Sequence, residues 1–113
     1  MPAPKKSKKR KASKPAGDCY EAAMNFILDP AVIEFPDDYR LVHGNVAALR
    51  QDEAVNHAWI EEGDVVHEIS NGQNLAFHKE SYYKHHQITN VRRYTAPEAI
   101  RLYVEHDHYG PWD

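Results

Sequence analysis

The sequence holds a single cysteine, Cys19, only five glycines, and no run of eighteen apolar residues. One cysteine excludes an internal disulfide and points to a reducing compartment, the cytoplasm being the simplest. Without a long apolar run, no membrane-spanning helix is expected. The few glycines include no closely spaced set that could cradle phosphates, which argues against NAD-dependent or other glycosyl-transfer chemistry. The first 17 residues contain no Asp or Glu and, proline aside, no apolar side chain larger than alanine after Met1. Such a segment cannot bury enough surface to offset the entropy of ordering, so residues 1–17 are predicted to be a disordered tail. The tail also lacks the apolar centre of a secretory signal.

What the tail does carry is charge: Lys5, Lys6, Lys8, Lys9, Arg10, Lys11 and Lys14. The other seven of the 14 Lys and Arg stand against all 17 Asp and Glu, leaving the chain from Asp18 onward formally at −10. A basic tail on an acidic domain can contact nucleic acid or an acidic partner through residues 5–14, or can keep the protein soluble. Residues 18–113 are the right length for one domain.

Within that domain the apolar spacing predicts a helix on DCYEAAMNFIL, with Cys19, Ala22, Ala23, Phe26 and Ile27 on one stripe. Asp18 is the expected N-cap, with Glu21 three residues on completing a capping box. Asp29-Pro30 ends the helix, and VIEFPDD is expected to be a loop. Tyr39 to Ala48 alternates as a strand, with Gly44 at a bulge or a close approach. Two strands, Val55 to Glu61 and Asp64 to Ser70, flank Glu62-Gly63 as a hairpin turn. Leu75 to Phe77 reads as a short edge strand, Lys79 to His86 as a short helix and Ile88 to Thr95 as a strand. A last helix starts at Ala96-Pro97-Glu98, with Ala99, Ile100, Tyr103 and Val104 buried. The expected class is α+β: an N-terminal helix carrying the cysteine, packed on a small antiparallel sheet.

The chemistry centres on the hairpin. With Glu62-Gly63 as the turn, Glu61 faces Asp64 and, counting back, His57 faces Glu68. A carboxylate on one ring nitrogen fixes the imidazole tautomer and raises its basicity. Cys19 at a helix N-terminus has the setting that favours a thiolate, because the helix dipole and free N–H groups stabilise negative charge there. These residues form a candidate catalytic set, although a surface polar pair and a buried structural thiol are the plainer readings of each taken singly.

Read together, GDCYEAA, LVHGNV and NHAWIEEGDVVHEIS resemble the segments around the nucleophile, the following core strand and the histidine and acid of the transglutaminase-like branch of the papain-like cysteine hydrolases. The resemblance implies a minimal papain-like core, with Cys19 as nucleophile, His57 as general base and Glu68 as orienting acid. Glu68 stands where that family has Asp. The side chain that family often uses for the oxyanion hole precedes the cysteine, which here offers Ser13 or Lys14. The substrate implied is a peptide or carboxamide, and no cofactor is implied.

Other residues stand near these in sequence. His43, Trp59 and Asn71 are possible lining of the site, Asn71 being first of all a turn residue in SNG. His85, His86, His106 and His108 lack the spacing of a metal site, and none is expected. Tyr109, Pro111 and Trp112 are expected to fold back as an apolar clasp, Tyr82, Tyr83 and Tyr94 to be core or groove wall, and Arg92-Arg93 to be a small binding patch. Two functions follow: a thiol enzyme of acyl-transfer type, either peptidase or amidase or transglutaminase-like, or a non-catalytic binding module of the same fold. If the tail binds nucleic acid, the full chain is expected to bind DNA at low salt more tightly than a chain beginning at Gly17, with the difference vanishing at high salt. Equal affinities at low salt would exclude a tail-driven role.

Overall fold

In the computed structural model, residues 18–47 and 54–112 are described. The predicted tail, with Ser13 and Lys14, lies outside the described residues. The chain runs through α1 (Cys19–Leu28), α2 (Pro30–Glu34), a 3₁₀ turn at Pro36–Asp38, β1 (Arg40–Ala47), β2 (Ala54–Glu62), β3 (Val65–Glu68), a second 3₁₀ turn at Ser70–Gly72, β4 (Leu75–His78), α3 (Lys79–His86), β5 (Thr89–Thr95) and α4 (Ala96–His106). The class is α+β. All strand pairs are antiparallel in one five-stranded sheet of order β4-β3-β2-β1-β5.

Each face of the sheet carries its own core. Leu41, Ala58 and Ile60 face α1 and α4, where they pack with Cys19, Ala23, Met24, Ile27, Ala96 and Ala99. Their neighbours Val42, Trp59 and Val66 point the other way and pack with Tyr82 of α3. This follows from the two-residue period of a strand. α3 is a poor helix by apolar content, and it is held to the sheet by two adjacent tyrosines. The Tyr82 hydroxyl donates to Glu68 and the Tyr83 hydroxyl to Glu61. Glu61, 3% exposed, also accepts from Trp59 Nε1 at 3.1 Å and Arg93 Nε at 2.9 Å. Arg93 is thus a partner of a buried carboxylate, which accounts for half of the expected Arg92-Arg93 patch.

Several expectations need correction. Asp18 is the N-cap of α1 but makes no side-chain cap. Its Oδ1 instead accepts from the Asn71 backbone N–H at 2.6 Å, so a tertiary contact has taken the oxygen that a capping box needs. Asp29-Pro30 ends α1 but also opens α2, because Asp29 Oδ1 caps Ala31 N–H at 2.9 Å and proline suits the first helical position. In α4 the Thr95 and Glu98 side chains form the reciprocal box that Asp18 and Glu21 do not. Val104 is 70% exposed, lying on the flank of the Ala96, Ala99 and Tyr103 stripe. The aromatic end folds back as expected: Tyr109 stacks on Tyr103 at 5.4 Å, and Trp112 meets Tyr94 at 5.2 Å.

Gly44 combines both roles expected of it. The β1–β5 register shifts between His43 and Asn45, and a Cβ at Gly44 would lie 2.8 Å from Cη2 of the buried Trp59. Gly44→Ala is therefore expected to lower unfolding free energy by about 1–3 kcal/mol through overpacking, measured by urea denaturation. Val104→Ser should change it by less than about 0.5 kcal/mol. Equal effects at the two positions would contradict the packing described.

Candidate active site

The hairpin turn is Gly63-Asp64, with Gly63 at φ +57°, and not Glu62-Gly63. Glu62 pairs with Val65, Glu61 with Val66 and Ile60 with His67, so each β2 residue faces a partner two positions beyond the one expected. A shift of two leaves every side chain on its own face. Glu68 then sits diagonally from His57, and the longer reach of Glu spans the diagonal. His57 Nε2 lies 3.0 Å from Glu68 Oε1 and 3.2 Å from Oε2. The predicted pair forms, by a route other than the predicted one.

The Glu68 carboxylate gathers three side chains from three elements. Besides His57 of β2, the Tyr82 hydroxyl of α3 donates to Oε1, and the Ser70 hydroxyl donates to Oε2 at 2.8 Å. Burial alone would raise the Glu68 pKa, but the bonds and charge of His57, with those of Tyr82 and Ser70, bring it down to about 2. Tyr82 is correspondingly pushed up, by burial and then by the adjacent carboxylate. Tyr82 and Ser70 are the site residues that sequence reasoning missed as such. Ser70 carried no signal beyond its place at the end of the hairpin, and Tyr82 read as groove wall.

His57 is buried. Desolvation works against its cation, yet hydrogen bonds with Cys19 and Glu68, together with their charges, raise it to about 9. Nε2 is occupied by Glu68, so Nδ1 is the ring nitrogen that remains. The influence of Cys19 on His57 is notable because α1 packs on the Ala58 and Ile60 face while His57 points with Trp59 to the α3 face. β3 pairs with β2 only as far as Ile60↔His67, so β2 from His57 to Trp59 has an open flank there. The chain after β3 turns away through Ser70–Gly72, and Asn71, at φ 57°, hands its N–H to Asp18 just before the cysteine. That bond docks the start of α1 beside the open flank. Cys19 itself is 1% exposed.

Asn71 therefore acts as a turn and a docking point for α1. Trp59 supports His57 from below, its ring centroid 5.8 Å away, and is itself fully buried. His43 lies on the α1 face, its ring 4.8 Å from Tyr20 and 5.1 Å from Trp112, and lines a separate small cleft with Asn45, Asn56 and Arg92. It does not line the His57 cleft, because one position along β1 is the opposite face. The cleft over His57 and Glu68 has a volume of about 200 Å³, with Val46 and Val55 as apolar wall and Asn56, Tyr82 and His86 around the polar groups. Among the described residues no group of three or more His, Cys, Asp or Glu is placed to hold a metal ion, and no helix is long and apolar enough to cross a membrane.

The His57 and Glu68 shifts have opposite signs with pH. The raised His57 pKa contributes stability that is complete below its ordinary 6.5 and is lost as pH rises through about 9. The lowered Glu68 pKa contributes stability that is complete above 4.5 and is lost as pH falls toward about 2. The stability difference between the wild type and Glu68→Gln should be largest between pH 4.5 and 6.5 and shrink above 9, read by urea denaturation across pH. A difference independent of pH would show that the two groups do not share a charge interaction.

No protein-family model, curated protein or solved structure matches this chain. Its function is read from the geometry of the site.

Proposed function

We propose that the protein is a cysteine-dependent acyl-transfer enzyme in which Cys19 is the nucleophile, His57 the proton carrier and Glu68 the group that orients it. The observation that carries this reading is the hydrogen bond of His57 Nε2 to Glu68 at 3.0 Å, with Cys19 near enough to help raise the His57 pKa. The transglutaminase-like resemblance of the same three residues supports it.

With its pKa raised to about 9, the imidazole holds a proton at pH 7, so its first role is as acid. The sulfur adds to a carboxamide or peptide carbonyl, forming a C–S bond. The C–N bond then breaks, and the departing amine takes the His57 proton. Neutral His57 next removes a proton from water, whose oxygen attacks the thioester. The C–S bond breaks, releasing the acid and returning the sulfur and His57 to their starting state. Water is the default acceptor, which makes hydrolysis the reading over cross-linking. The reaction needs no cofactor, and a free reactive thiol fits a reducing compartment such as the cytoplasm.

One observation favours a second reading, a non-catalytic binding module on the same fold: Cys19 is 1% exposed, and a nucleophile has to meet its substrate. Iodoacetamide labelling followed by mass spectrometry separates the two. The enzyme reading expects labelling at pH 7 to be faster than for a free cysteine, and at least tenfold slower in His57→Ala. Slow labelling in both proteins, rising only near pH 8.5 as for an ordinary thiol, would leave the binding module.

A further inference from the structure

The proposed chemistry needs a donor for the negative oxygen that develops when the sulfur adds to a carbonyl, and we propose that Asn56 supplies it through its side-chain amide. The inference rests on the acyl-transfer reading above and adds a catalytic residue to it.

Asn56 precedes His57 on β2, so its side chain points to the opposite face, the one on which α1 and Cys19 pack. It lines the cleft over His57 and Glu68, and also the adjoining cleft lined by Tyr20, the residue after the cysteine. It is the residue that the two clefts have in common. Its amide is also aimed. Asn90 Nδ2 donates to Asn45 Oδ1 at 2.7 Å, and Asn45 Nδ2 donates to Asn56 Oδ1 at 2.7 Å. The three asparagines form a ladder across β5, β1 and β2, with Asn45 and Asn56 directly opposite each other. Asn90 enters it at φ 54°, a left-handed conformation that asparagine tolerates, beside the register shift of β1.

The direction of the ladder decides the chemistry. An amide has one accepting oxygen and two donating hydrogens, and the ladder occupies the oxygen of Asn56. Its Nδ2 is the open end, and among the described residues no acceptor meets it. An exposed side chain gains little from a fixed orientation in water. In the cleft it shares with His57, the same orientation holds a donor ready for a developing oxyanion without reorganisation at the moment of reaction. The C–S bond forms, the carbonyl π pair moves onto oxygen, and Asn56 Nδ2–H donates to that oxygen until the pair returns and the amine leaves.

The test separates nucleophile strength from oxyanion binding in the full-length protein. Iodoacetamide alkylates sulfur by displacement at a saturated carbon and creates no oxyanion, whereas p-nitrophenyl acetate acylates it through one. In Asn56→Ala, acylation of Cys19 by p-nitrophenyl acetate should fall on the order of 10²-fold, while alkylation stays within about twofold of the wild type. Asn56→Asp, which places an acceptor and a negative charge at the open end, should acylate more slowly still. Asn45→Ala, which removes the aiming contact, should give an intermediate loss. Acylation unchanged in Asn56→Ala, or retained in Asn56→Asp, would overturn the assignment while leaving the Cys19 and His57 reading intact. A parallel loss of alkylation in the Asn56 variants would also overturn it. If wild-type Cys19 resists alkylation, the acyl-transfer reading fails, and this one with it.

Discussion

A carboxylate taken out of water has to be met by donors, and Glu68 is the point at which this protein meets that requirement. Among the described residues it has no lysine or arginine partner. Instead β2 supplies an imidazole, α3 a phenol and the turn after β3 a hydroxyl. Each donor comes from a different element, so satisfying one side chain fixes the relative positions of three parts of the fold. The same requirement keeps His57 in its cationic form, since the cation is the better donor to a carboxylate in a partly buried site. Structure and candidate chemistry therefore depend on one charge.

Glu61 repeats the arrangement two rows along the sheet. It is a buried acid on β2, whereas Glu68 is a partly buried one at the end of β3, and it is met by Tyr83, Arg93 and Trp59. The tyrosines adjacent in sequence, Tyr82 and Tyr83, thus reach two different carboxylates, and this seats a short polar helix on the sheet. The two acids differ in their partners. Glu61 has an arginine, whereas Glu68 has a histidine.

Much of this was legible in the sequence, for identifiable reasons. The class, the helix carrying Cys19, the bounds of α3 and the fold-back of Tyr109 and Trp112 follow from apolar spacing and from the need to cover a small core. The His57 and Glu68 pair was reached although the turn was misplaced by one residue, because moving a two-residue turn by one position shifts facing partners by two and preserves parity. An odd shift would have put Glu68 on the other face. Tertiary contacts were not legible. The Asp18 carboxylate goes to Asn71, 53 residues away, in place of its own helix, and nothing local distinguishes a cap from a docking point. Tyr82 and Ser70 were invisible as site residues for the same reason: their role exists only where β3, α3 and the following turn converge. His43 stands on the face opposite His57, since a single step along a strand changes the face.

The central claim is that Cys19 and His57 act as one unit although α1 and the His57 side chain lie on opposite faces of the sheet. NMR titration of the His57 ring in the wild type and in Cys19→Ala tests it most directly. The account expects His57 to titrate near pH 9 in the wild type and clearly lower once the sulfur is gone, since the Cys19 hydrogen bond and charge help to hold the proton. An identical His57 titration in both proteins would contradict it, and would leave His57 and Glu68 as a buried pair that holds a hairpin and a helix together.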